Sequence, residues 1–368
     1  MNRFAVYFPI VLFLSYFAVD KACLFPGMKR LTQPDATYLY FDHKNKLLDE
    51  LERVHKQNLK PENYISGFRK RTVVILGSSR LLYFDTARFH RNYPDWELFN
   101  FSAPVTAPAY YAYILERILD RGIKPDYLII EADPLQYNDG GDHFVRSNLA
   151  YSFDLPFVLR HQGLFKNSEI SFFLARLMFA GYKYPPDLSI FFQRLRNPKD
   201  RWLLALDELD RFQTENRGAG KSIIPRENWY ERDFGRLQVS ATQSIGWIYR
   251  NYQLSERQFG FLDLILETGK NNKIPILLLR PQVSRSMQAQ LDEDKKLAPK
   301  LAAWEEIFKN RIKAYGFPYL DLRHDPEISC NTFVDGAHMS LDCYHMLTVA
   351  VMRQYWDHFG TDGSTWTH

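Results

Sequence analysis

Residues 72–80 read Thr-Val-Val-Ile-Leu-Gly-Ser-Ser-Arg, an apolar, β-branched run that ends directly in a Gly-Ser-Ser turn. A short unbroken apolar run bounded by a turn marks a strand buried on both faces, as parallel strands between helices are. Similar runs recur at 96–101, 127–131, 274–279 and 319–322. Helical patterns lie between them, over 80–91, 107–121, about 238–270 and about 287–314, with a last helix from about 341 to 359. This alternation predicts an α/β fold, a doubly wound, mostly parallel five-stranded sheet. Residues 134–235 are too long for a loop and predict a helical insertion that leaves from the carboxyl end of the third strand.

A chain of 368 residues, 46% hydrophobic and 24% charged, can bury a sizeable core, which excludes wholesale disorder and a disulfide-stapled miniprotein. The formal charge is +4 with both signs spread along the chain, so nucleic acid is not an expected partner. Aromatics at 15% suit a sugar-facing surface and a large aromatic core equally.

Residues 4–19, FAVYFPIVLFLSYFAV, contain no charge, and the run extends to Phe25 if Asp20 and Lys21 snorkel. A bilayer span takes about 20 residues, so residues 1–28 are expected to form an uncleaved signal anchor with the globular part in the periplasm or otherwise outside the cytoplasm. The rivals are a cleaved signal peptide, poorly served by Val19-Asp20-Lys21-Ala22-Cys23, and a buried core helix. Residues 29–70, polar and basic, are expected to be a stalk, 71–359 the folded body and 360–368 a tail.

Open α/β sheets bind ligands beyond the carboxyl ends of their strands. At that edge fall Ser79, Ser102, Asp133, Arg280, and the pair Asp335 and His338. A serine hydroxyl attacks only when an imidazole takes its proton, and the imidazole needs an acid to fix its tautomer. Ser79 is therefore the candidate nucleophile, His338 the base and Asp335 its orienter. The amides of Ser79 and Ser102 are candidates for an oxyanion hole.

Three segments, ILGSSR, NFS at 100–102 and FVDGAHMS, resemble the blocks of the SGNH or GDSL-like hydrolases and acyltransferases. The resemblance implies a flavodoxin-like sheet, places the nucleophile at Ser79, puts the acid and base at Asp335 and His338, and gives a backbone donor at Ser102. Where that family has an Asn after the third strand, this chain has Asp133, which cannot donate while ionised. A GSS-type first block on an N-terminally anchored chain is most similar to the envelope branch: alginate and peptidoglycan O-acetyltransferases, the teichoic-acid D-alanylation protein, and an uncharacterised bacterial family of anchored SGNH-like proteins. Such relatives imply serine-mediated acyl transfer or ester hydrolysis on a cell-envelope glycan or lipid of a bacterial inner membrane, beside a membrane-embedded acyl donor and without a cofactor. The alternative is a non-catalytic binding or assembly component that keeps the fold.

Each of these residues also has a plain structural use. Gly77-Ser78-Ser79 is a good helix cap, Asp335 could cap the last helix, and Arg280 could pair with Asp133 as readily as hold a substrate anion. Arg80 is expected to be a solvated or sheet-edge cation. His143, His161, His324 and His345 lack the spacing of zinc ligands, so no metal is expected. Cys330 and Cys343 flank DGAH; outside the cytoplasm they could bond, and two buried thiols fit the sequence equally.

Overall fold

The structure, a computed structural model, describes residues 3–60, 69–84, 86–141, 143–197, 200–220, 230–323, 325 and 328–360. Five parallel strands form one sheet: β1 (Arg71–Leu76), β2 (Trp96–Asn100), β3 (Tyr127–Glu131), β4 (Ile276–Arg280) and β5 (Tyr319–Asp321). Their spatial order is β2-β1-β3-β4-β5, so the direction of winding reverses beside β1 and β3. That reversal opens a crevice at the carboxyl edge, between the turn after β1 and the turn after β3.

Side chains alternate across the pleat, and both faces are covered. Val74, Leu76, Leu128, Ile130 and Leu278 belong to one core. Val73, Ile75, Ile129, Leu277 and Leu279 belong to the other. Helices α3 (Thr37–Asn58), α5 (Pro108–Asp120), α13 (Glu256–Asn271) and α15 (Ala298–Tyr315) supply residues to the first core. Helix α16 (Tyr344–Phe359) and α4 (Thr86–Asn92) supply residues to the second. Strands buried on both faces explain why their sequences are continuous apolar runs rather than alternating ones.

The expected single helices over 238–270 and 287–314 are each two. Helix α12 (Phe234–Ile248) stops before Asn251, whose φ of 52° is left-handed, and Ser255 caps α13 through the Gln258 amide. Helix α14 (Arg285–Glu293) ends at Asp294, whose carboxylate accepts from the Lys296 and Leu297 amides before α15 begins. Short polar side chains that bond nearby backbone compete with helix at both places.

Residues 29–58 are not a free stalk. Helix α2 (Pro26–Thr32) packs on the insertion, and α3 places Phe41, Leu47, Leu48 and Leu51 in the main core. Residues 61–68 of that segment, and the expected tail from 361, lie outside the described residues. The expected insertion folds as α6 (His143–Tyr151), α7 (Leu155–Arg160), α8 (Asn167–Met178), α9 (Ala180–Lys183), α10 (Leu188–Arg196) and α11 (Arg201–Glu215), and it runs on past the expected bound at 235 into α12.

Helix α1 (Arg3–Ala22) exposes every side chain from Tyr7 to Val19. Among the described residues no single helix is long and apolar enough to cross a membrane, but Tyr7–Ala22 with Pro26–Thr32, bent by 79°, passes as a pair.

Candidate active site

Strand β1 delivers the site. Gly77 follows it in a place without room for a Cβ, which would stand 2.8 Å from Leu81 Cδ1 and 3.0 Å from Glu131 Oε2. The next residue turns inward: the Ser78 amide and hydroxyl both donate to buried Glu131, at 2.5 and 3.0 Å. Holding Ser78 inward leaves Ser79 pointing out of the sheet edge, half-buried, at the start of a short 3-10 turn (Ser79–Leu81). Burial pushes the Glu131 carboxyl up, against the pull of Arg80 and the Ser78 donors.

Ser79 Oγ lies 2.8 Å from His338 Nε2. The far ring nitrogen, His338 Nδ1, lies 2.9 Å from both oxygens of Asp335. Asp335 also accepts from the amides of Ala337 at 2.8 Å and His338 at 2.9 Å. Burial pushes its carboxyl up, but the His338 ring and those two amides outweigh burial and hold it down at about 2. An ionised Asp335 accepts a hydrogen bond from Nδ1–H, which keeps the proton on that nitrogen and leaves Nε2 free to accept from Ser79.

The loop that carries this pair closes on itself. Phe333 and Met339 face each other as an antiparallel bridge, the Val334 amide donates to the His338 carbonyl at 2.9 Å, and the Ser340 amide donates to Thr332 at the same distance. A disulfide joins Cys330 to Cys343 across its base. From the insertion, Ser240 on α12 accepts from the Gly336 amide at 3.1 Å, and the Gly336 carbonyl accepts from the Ser284 amide at 2.9 Å. The loop is thus fixed on three sides: by the disulfide, by α12 and by the start of α14.

The remaining sequence candidates are placed differently. Ser102 is fully buried, and its amide already donates to Asn100 Oδ1 at 2.9 Å, so it does not face the crevice. Asp133 pairs with Arg80 at 2.6 Å and with Arg280 at 3.7 Å, and accepts from the Leu135 amide and the Tyr249 hydroxyl. Those cations hold its carboxyl below the usual range although burial alone would raise it. Arg280 is also buried and reaches Glu305 at 3.3 Å. Arg80 is not a solvated cation: it is 3% exposed and donates to the Pro281 carbonyl at 2.8 Å.

Asp133 and Arg280 therefore form a buried ion network beneath the site. Two carboxylates, Glu131 at the end of β3 and Asp133 just after it, beside a Gly-Ser-Ser-Arg turn were the signal for it. Among the described residues no hydrogen bond occupies the Ser79 amide, which makes it the available oxyanion donor. No three His, Cys, Asp or Glu side chains converge on a metal position among those residues.

The fold and site define a doubly wound α/β protein with a Ser-His-Asp relay at the switch point of its sheet. Residues 1–355 match the family described as proteins of unknown function, DUF1574, and the chain belongs to that family. No curated protein matches it. Among solved structures it is similar to a crystal structure from Bacteroides fragilis of a protein provisionally named an acylhydrolase. Identity is 11%, coverage 82% of this chain and 94% of that one, and the TM-score 0.34, an overlap too small to carry an argument about the site.

Proposed function

We propose that this protein is a membrane-anchored serine acyltransferase or ester hydrolase acting outside the cytoplasm on a cell-envelope glycan or lipid. The single observation that carries the chemistry is the unbroken relay from Ser79 Oγ through His338 to Asp335, with 2.8 and 2.9 Å contacts. Ser79 attacks an acyl carbonyl carbon while its proton passes to His338 Nε2. The same proton then goes to the departing alkoxide, which leaves as an alcohol with the acyl group on Ser79. A sugar or lipid hydroxyl, or water, gives up its proton to His338 as it attacks the acyl-serine, and Ser79 is restored.

Exposed α1 supports the membrane part of the proposal, and the Cys330–Cys343 bond supports an oxidising compartment. A second, non-catalytic reading draws on one observation: Asp133, where the resembling family has a donor, is committed to Arg80 and Arg280. The test is single-turnover acylation. Mixing the protein with an aryl acetate and digesting it at once is expected to show acetyl mass on the Ser79 peptide, absent from Ser79→Ala. Equal, diffuse acetylation of both proteins would favour the binding reading.

A further inference from the structure

Helices α8, α9 and α10 carry apolar side chains on their exposed faces. Toward the body α8 buries Glu169 and Phe173, α9 buries Ala180, and α10 buries Arg194. Their outer faces expose Leu174, Leu177 and Met178 on α8, Tyr182 on α9, and Leu188, Phe192 and Leu195 on α10. The spacings i, i+3, i+4 and i, i+4, i+7 make each outer set one stripe. Solvent-facing helix surfaces are normally polar, and exposed apolar stripes such as these mark a contact surface.

Helix α1 takes root beside this surface. Asp20, only 6% exposed, does not snorkel: it accepts from the amides of Ala180 at 2.8 Å and Gly181 at 2.7 Å, at the start of α9. Lys21 donates to the Met178 carbonyl at the end of α8. The exposed apolar helix therefore leaves the body where the exposed stripes lie.

We propose that the outer face of α8, α9 and α10 rests in the interfacial layer of the bilayer that α1 enters, with phospholipid as its occupant. Leu177 and Phe192 sit at the headgroup–acyl boundary, roughly 5–10 Å deep. This surface rests on the membrane half of the proposed function, not on its chemistry.

The full chain is reconstituted into vesicles of phosphatidylethanolamine and phosphatidylglycerol, with an environment-sensitive dye on Leu177→Cys, Phe192→Cys or the control Ala314→Cys, which is exposed on α15. The parent chain, whose free Cys23 is buried, sets the background. Brominated lipid is expected to quench the dye at 177 and 192 several-fold more than at 314. Equal, water-like signals at all three positions overturn the surface. Dyes shielded only at high protein density, without lipid quenching, overturn it in favour of self-association. Retention after an alkaline wash reads α1 separately: retained protein with wet labels rejects the surface alone, and protein lost on washing after lipid quenching rejects the anchor alone.

Discussion

Gly336 lies directly on the backbone of Ala241: a Cβ at Gly336 would stand 2.6 Å from the Ala241 Cα and 2.9 Å from its nitrogen. Gly336 belongs to the loop between Asp335 and His338, and Ala241 belongs to α12 of the insertion. The insertion thus presses on the backbone that aims the candidate base.

Gly336→Ala must move one of the two backbones, since neither neighbour is a flexible side chain. Overpacking of this kind costs about 1–3 kcal/mol. The substitution is expected to slow acylation of Ser79 even under conditions where the variant is fully folded. Acylation rates compared at matched circular dichroism check this; an unchanged rate would mean that α12 does not position the loop.

Asp335→Asn keeps the size of the side chain but lets the wrong nitrogen of His338 carry the proton. In a serine relay that error lowers turnover by roughly three to four orders of magnitude. Wild-type Asp335, held at about 2, stays ionised through the working range. Its carboxylate band, read by infrared difference against Asp335→Asn, is therefore expected to persist down to pH 4. Loss of that band between pH 7 and pH 4 would contradict this.

Asp133→Ala removes the main partner of the buried Arg80 guanidinium, while Arg280 keeps Glu305. Breaking one side of a buried pair costs about 3–5 kcal/mol. A lower urea midpoint is expected, with the disulfide intact. A midpoint equal to wild type would show that Glu131, 3.9 Å from Arg80, suffices alone.

Lys44 is buried with its ammonium donating to the carbonyls of Asn100 at 2.8 Å and Gly218 at 2.7 Å. Burial pushes it down to about 7, against 10.5 for an ordinary lysine. Between those values the unfolded chain binds more protons than the folded one, so Lys44 makes stability rise with pH from 7 toward 10. Urea unfolding at pH 7 and pH 9 is expected to show this rise in wild type and its loss in Lys44→Met. A rise of equal size in both proteins would assign it to other groups.

The sheet was legible in the sequence because strands covered on both faces are continuous apolar runs, as at 72–76 and 127–131. Ser79, Asp335 and His338 were legible because the turns after a first strand and before a last helix fall at the same edge. Helix ends inside 238–270 and 287–314 were not, since Asn251 and Asp294 act through backbone geometry that periodicity does not register. The packing of α3 was hidden by its many charges, most of which sit on its outer face, while Leu47, Leu48, Leu51 and the aliphatic stem of Lys44 face inward. Arg80 was misjudged because the partner that buries it, Asp133, is 53 residues away in the chain and adjacent only in the sheet.

The central claim is that Ser79 is an activated nucleophile. The most direct measurement treats the folded protein with a serine-reactive fluorophosphonate and maps the adduct by mass spectrometry, with His338→Ala and Ser78→Ala as companions. The account predicts an adduct on Ser79 alone, retained in Ser78→Ala and lost in His338→Ala. No adduct on folded wild-type protein, or one that survives loss of His338, would contradict it.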